Sequence, residues 1–90
     1  MLKQSFLVVS ENGIHARPAT RLVNLAMTFQ SEIELCRKET CINLKSIMGL
    51  MSLGIYQGET ITITAEGDDE SKAIEGLKDF IIHEGLARVE

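Results

Sequence analysis

The stretch Thr60-Ile61-Thr62-Ile63-Thr64-Ala65 alternates threonines with apolar residues. A period of two puts Ile61 and Ile63 on one face of a strand and the threonines on the other. A sheet built on such a strand has one face to bury and one that tolerates water, so it needs a cover on one side only. The rest of the chain fits that demand. Residues 3–10 alternate around Phe6 and Val8, although Leu7 and Val9 leave the opposite face unusually apolar. Glu32-Ile33-Glu34-Leu35 alternates cleanly, with Ile33 and Leu35 inward, and Thr40-Cys41-Ile42-Asn43 reads as a short partner strand. Between them, Arg37-Lys38-Glu39-Thr40 is a poor turn, because it lacks the Asn-Gly that a tight hairpin favours.

Three segments change to the helical period. Ala19, Leu22, Val23 and Ala26 form a stripe over roughly 16–28, with Pro18 in the first turn, where a missing N–H costs little. Ile47, Leu50 and Met51 predict a short helix over about 47–53 that Ser46 can cap. Leu50 and Leu53 are expected inward, leaving some of Ile47, Met48 and Met51 outside. Ala73, Ile74, Leu77, Phe80 and Ile81 define a third helix, capped by Asp69 and stopped at Gly85. Gly76 inside it costs about 1 kcal/mol relative to Ala. The order strand, helix, strand, strand, short helix, strand, helix predicts an α+β fold with helices on one face of an antiparallel sheet.

Ninety residues predict a single domain, 1–90. Hydrophobic content of 44% with 24% charged residues suits a soluble globular protein. No apolar run is long enough to span a membrane, and Met1–Phe6 does not begin a signal peptide, so the expected compartment is the cytoplasm. A net charge of −4 argues against nucleic acid as a direct partner. Cys36 and Cys41 match no metal motif with His15 or His83, so no metal site is expected. If Lys38-Glu39 is a two-residue turn, Cys36 faces Cys41 on the outer sheet face, beside Glu34 and Asn43. Their Cα atoms would then lie about 4.5–5.5 Å apart, which overlaps disulfide reach. A reducing cytoplasm predicts free thiols.

The chemistry gathers at Gly13-Ile14-His15-Ala16-Arg17-Pro18-Ala19-Thr20. His15 falls where a loop becomes a helix. The first-turn amides have no partners inside the helix and carry the positive end of its dipole, which makes an anion pocket beside an imidazole. A histidine that accepts a phosphoryl group needs such donors and a nearby cation, here Arg17. Arg17 is unfavourable at a helix start, which favours a phosphate-facing role. No carboxylate in this stretch pairs with His15 for hydrolytic acid–base work. His83, late in the third helix beside Glu84, reads as a solvated helix-end cation.

This stretch closely resembles the phosphorylation-site signature of HPr, the histidine-containing phosphocarrier of the bacterial sugar phosphotransferase system. Asn43-Leu44-Lys45-Ser46-Ile47-Met48-Gly49-Leu50-Met51-Ser52-Leu53 resembles the regulatory-serine region of HPr from Gram-positive bacteria. The resemblance implies an open-faced β-sandwich: four antiparallel strands in the order 1-4-2-3 with three helices on one face. It implies a phosphocarrier, not a turnover enzyme, whose His15 takes a phosphoryl group on Nδ1 from enzyme I and passes it to enzyme IIA. It further implies phosphorylation of Ser46 by HPr kinase/phosphorylase and contact with a catabolite-control transcription factor. The expected partner surface is Thr20, Arg21, Lys45, Ile47, Met48 and Met51. No cofactor is implied, and a monomer is expected. The hairpin tip departs from the family, many members of which carry a better turn. The related protein Crh, a regulatory module with Gln at the active-site position, is the competing assignment, and His15 argues against it.

Overall fold

The two strands with the strongest alternation lie side by side. β1 (Leu2–Val8) pairs antiparallel with β4 (Thr60–Glu66), setting Phe6 opposite Ile61 and Gln4 opposite Ile63. β2 (Glu32–Arg37) flanks β4 on its other side and turns into β3 (Thr40–Asn43). The computed structural model describes residues 1–90, and its sheet sets β3-β2-β4-β1 side by side, with a further strand on the outer edge of β1. Three helices, α1 (Ala16–Ala26), α2 (Ile47–Leu53) and α3 (Glu70–His83), complete the chain. Phe6, Leu22, Ile33, Leu35, Ile61, Ile63, Leu77 and Ile81 meet between helices and sheet in one apolar cluster of 21 buried residues.

The fifth strand, β5 (Ala87–Val89), corrects the four-strand expectation. Its cause lies at the end of α3. Gly85 takes φ 69°, its N–H bonds to Ile82 O at 3.0 Å, and Leu86 N–H bonds to Ile81 O at 3.0 Å. This is a left-handed helix stop in which buried Leu86 packs back towards buried Ile81. The stop delivers Ala87 opposite Val8 and Val89 opposite Phe6, along the edge of β1 that β4 leaves free. Three residues are too few to show a period. Gly76 also has a packing reason: a Cβ there would sit 3.0 Å from the Phe29 ring.

Asp69 holds the N-cap position of α3 without capping it. Its carboxylate instead accepts the N–H groups of Gln30 and Ser31, at 2.8 and 2.9 Å, and the hydroxyl of buried Ser31. Glu70 takes over locally, accepting Gly67 N–H at 3.1 Å. The Ser31 hydroxyl, and then the Gln30 amide, hold the Asp69 carboxyl below its ordinary value of 3.8. A depressed carboxyl pKa contributes stability above the unfolded value and loses it as pH falls through the folded one. Asp69→Asn is therefore expected to lower Tm at pH 7, and the gap to wild type should narrow below pH 3.8. A gap that stays constant down to pH 2 would contradict this account.

The β2–β3 hairpin has the two-residue turn that the cysteine spacing requires. Arg37 faces Thr40, Cys36 faces Cys41, and Lys38 takes φ 56°. The sulfurs are joined in a disulfide with Cα atoms 4.0 Å apart, closer than the cross-strand separation of about 4.5–5.5 Å expected from the register; free thiols are expected only for a reducing compartment. Register brings the two side chains together on the outer face, whereas the free-thiol expectation rested on compartment alone.

Candidate functional site

His15 is the N-cap of α1, with extended backbone (φ −94°, ψ −175°) and a side chain that makes no capping bond. Its imidazole is exposed and takes part in none of the ion pairs. Its carbonyl accepts the first helical bond, from Ala19 N–H at 2.9 Å. Pro18 has no N–H, so the Ala16 and Arg17 amides remain as unspent donors at the helix start. Arg17 is exposed and outside every ion pair. Beside the imidazole stand two amides, the positive end of a helix dipole and an unpaired guanidinium neighbour, the setting in which an anion is stabilised.

The loop that carries His15 is fixed from the far half of the chain. Gly13 turns with φ 64° and bonds Ser10 O at 2.9 Å. Ile14 is buried and donates to Ile55 O at 3.2 Å. The neighbouring segment adds two bonds to the end of β1: Gly58 N–H to Val8 O at 2.9 Å and Gln57 Nε2 to Val9 O at 3.1 Å. A Cβ on Gly13 would lie 2.1 Å from Ile55 O. The glycine is thus required both by its backbone angle and by the closeness of the Ile55 carbonyl. Sequence reasoning missed this clamp, because Gly54 and Gly58 signal a break there and nothing local says what the break rests against.

The remaining sequence candidates divide. Thr20 spends its hydroxyl on Ala16 O at 2.9 Å. Arg21 is exposed and also paired at α3's end: its guanidinium forks onto Glu84 at 2.7 and 3.1 Å and lies 5.5 Å over the Phe80 ring. Lys45 donates to Phe29 O at 2.7 Å, past the C-terminal end of α1 and so at the opposite end from His15. Ser46 caps α2, its hydroxyl oxygen accepting Gly49 N–H at 3.1 Å. Leu50 and Leu53 are buried, while Ile47, Met51 and above all Met48, 80% exposed, stand outside. Helices α1 and α2 pack together, so this apolar face neighbours the helix that begins at His15. Neither surface hollow borders His15. Glu34, Cys36 and Cys41 place their ligand atoms within 4.8 Å of one another, but with the disulfide closed they offer no thiolate to a metal.

Fold and site together define a two-layer α+β protein that presents an exposed, uncapping histidine beside free amides at the start of its first helix. The model of the phosphotransferase-system family described as "PTS HPr component phosphorylation site" matches residues 2–83. A histidine-containing phosphocarrier protein from Mycoplasma is 40% identical over 96% of this chain and 98% of its own, with a TM-score of 0.93. Phosphocarrier HPr of Bacillus anthracis is 40% identical over 88% of this chain and 94% of its own, with a TM-score of 0.81. Crh of Bacillus subtilis, a catabolite-repression protein described as a swapped dimer, is 39% identical over 93% and 97%, with a TM-score of 0.73. The chain belongs to the HPr family, the phosphocarriers of the phosphotransferase system. Members of this family carry a phosphoryl group between the enzymes of that system and are not turnover enzymes.

Proposed function

We propose that His15 accepts a phosphoryl group from the phosphohistidine of enzyme I and passes it to a sugar-specific enzyme IIA. One P–N bond breaks on the donor and one forms on the His15 ring; family resemblance assigns the bond to Nδ1. The observation that carries this reading is an exposed imidazole not spent on capping, beside the unspent amides of Ala16 and Arg17. These donors receive phosphoryl oxygens without reorganising, which is where protein catalysis of phosphoryl transfer acts. Arg17 adds a planar fork matched to two oxygens. The single domain 1–90 acts as a cytoplasmic monomer in this reading. The test is labelling by phosphoenolpyruvate and enzyme I, with one phosphoryl group per chain expected on the His15 fragment. A label on any other residue, or none, would end the proposal.

The exposed face of Ile47, Met48 and Met51 is the proposed docking surface for enzyme I, enzyme IIA, HPr kinase/phosphorylase and a catabolite-control transcription factor. Methionine adapts its shape to several partners. Thr20, Arg21 and Lys45 frame it; a partner carboxylate must displace Glu84 to use Arg21, and the Phe29 carbonyl to use Lys45. Phosphorylation of Ser46 would place a charge of about −1.5 to −2 at a helix start, where free amides tolerate it, yet beside Met48 and Met51. Its effect then falls on partners and not on folding. Ser46→Asp retains a capping oxygen, so Tm should stay within a few degrees of wild type. Acceptance from enzyme I should slow about tenfold or more, equivalent to about 1.4 kcal/mol. Equal rates would remove the electrostatic block, and a collapse of Tm would make Ser46 mainly a structural cap.

A further inference from the structure

We propose that Cys36 and Cys41 are a reversible dithiol–disulfide site, through which a small-molecule disulfide stiffens the end of the α2 docking helix. The pair lies on the outer sheet face, with Ile33 and Leu35 of the same strand facing the core, so opening it removes nothing from the apolar interior. Cys41 is exposed, Cys36 is half-buried, and an open groove between Lys38 and the Gly58–Thr60 segment leads to Cys36. Small thiols and disulfides therefore have access.

The disulfide encloses Arg37, and Arg37 is the tie from this hairpin to the rest of the molecule. Its Nη1 donates to Leu53 O and Gly54 O, both at 2.7 Å, and lies 3.6 Å from Glu59 Oε1. Those carbonyls end α2, where a helix has unpaired acceptors and favours a cation. Glu59 in turn accepts Tyr56 N–H at 2.7 Å. The next carbonyl after Gly54, that of Ile55, receives Ile14 N–H beside His15. The hairpin tip, the end of α2 and the His15 loop thus form one hydrogen-bonded series. The weak member is the turn. β3 is a four-residue edge strand, and Lys38 holds a left-handed φ of 56° without being glycine. The covalent bond offsets that weakness. Without it the edge strand frays first, and Arg37, the last residue of β2, loses its partner Thr40 and its hold on the end of α2 loosens.

The exchange balances with a low-molecular-weight disulfide as oxidant. One protein thiolate attacks a sulfur of the small disulfide, whose S–S bond breaks, giving a mixed disulfide and one leaving thiolate. The second protein thiolate attacks the mixed disulfide, closing Cys36–Cys41 and releasing the other thiolate. Two electrons pass from the protein to the small disulfide, and the two thiol protons pass to the two leaving thiolates.

Only the description of α2 as a docking helix rests on the proposed function, so the test uses neither docking nor transfer. The whole protein is equilibrated with defined ratios of reduced and oxidised glutathione, alkylated and weighed, and amide hydrogen exchange is measured in both end states. A reversible gain and loss of two alkylation sites per monomer is expected. Exchange at Leu53–Tyr56 should be about tenfold or more faster in the dithiol form, with β1 and β4 unchanged. Cys36→Ser with Cys41→Ser should show the fast exchange under both conditions. In Arg37→Met, exchange at Leu53–Tyr56 should no longer depend on redox state. Sulfurs that never equilibrate with glutathione, or exchange at Leu53–Tyr56 that is equal in the two forms, would overturn the proposal. A redox response that survives in Arg37→Met would overturn the Arg37 link.

Discussion

His15→Ala is expected to accept no phosphoryl group from enzyme I while keeping its Tm within a few degrees of wild type. The two halves of that expectation have separate grounds. The imidazole is the proposed acceptor, and no other imidazole stands at the start of α1. The fold makes little use of the ring, which is exposed and caps nothing. Only the backbone of residue 15 is structural, through its carbonyl bond to Ala19 N–H, and alanine retains that carbonyl. Arg17→Lys in the same assay should slow acceptance about tenfold, near 1.4 kcal/mol, because an ammonium keeps the charge but loses the fork. Full transfer by His15→Ala would move the acceptor elsewhere. A wild-type rate in Arg17→Lys would reduce Arg17 to a surface cation.

The second large effect is expected at Gly13. Gly13→Ala must hold alanine at φ 64°, which costs about 1–2 kcal/mol. It must also push a Cβ away from Ile55 O, which lies 2.1 Å from the Cβ position and belongs to the segment that clamps the loop. A total of about 3 kcal/mol is reasonable for strain plus displaced backbone, and for a chain of this size it lowers Tm by roughly 10–20 °C. Gly58→Ala provides the internal control. Gly58 also has positive φ, at 89°, yet a Cβ there meets nothing within 4 Å. It should lose only the backbone part, about a third to two thirds of the effect. Surviving Gly13→Ala molecules should also transfer slowly, because the displaced carbonyl no longer holds Ile14 beside His15. Equal Tm losses in the two variants would show that the close approach of Ile55 contributes nothing.

The parts of this molecule that sequence reasoning reached are those in which neighbouring residues carry the information. β4 and the stripes of α1 and α3 repeat over enough residues to declare their period. The site declares itself through five consecutive positions, His15 to Ala19, whose backbone roles follow from helix geometry. The cysteine pairing followed from counting across a turn. What escaped depended on distant groups. Asp69 has the sequence context of a cap, but two backbone amides and a hydroxyl from residues 30–31 attract its carboxylate more strongly. The pairing of exposed Arg21 was missed because Glu84 is 63 residues away. β5 has no pattern of its own and exists because the helix stop at Gly85 aims it at a vacant edge. The clamp of Ile55 on Gly13 is the same kind of fact.

The placement of β1 also fixes when the carrier can begin to work during its own synthesis. β1 pairs with neither β2 nor β3, which follow it; its two neighbours, β4 and β5, come after both in the sequence. The loop bearing His15 likewise waits for Ile55, Gln57 and Gly58 to emerge. A nascent chain that has exposed only its first 50 residues holds the whole signature of the site but none of the contacts from residues 55–58 that shape its loop. Long-range closure of this kind slows folding relative to a helical protein of equal size. An incomplete chain therefore carries His15 on a loop whose long-range hydrogen bonds have not yet formed.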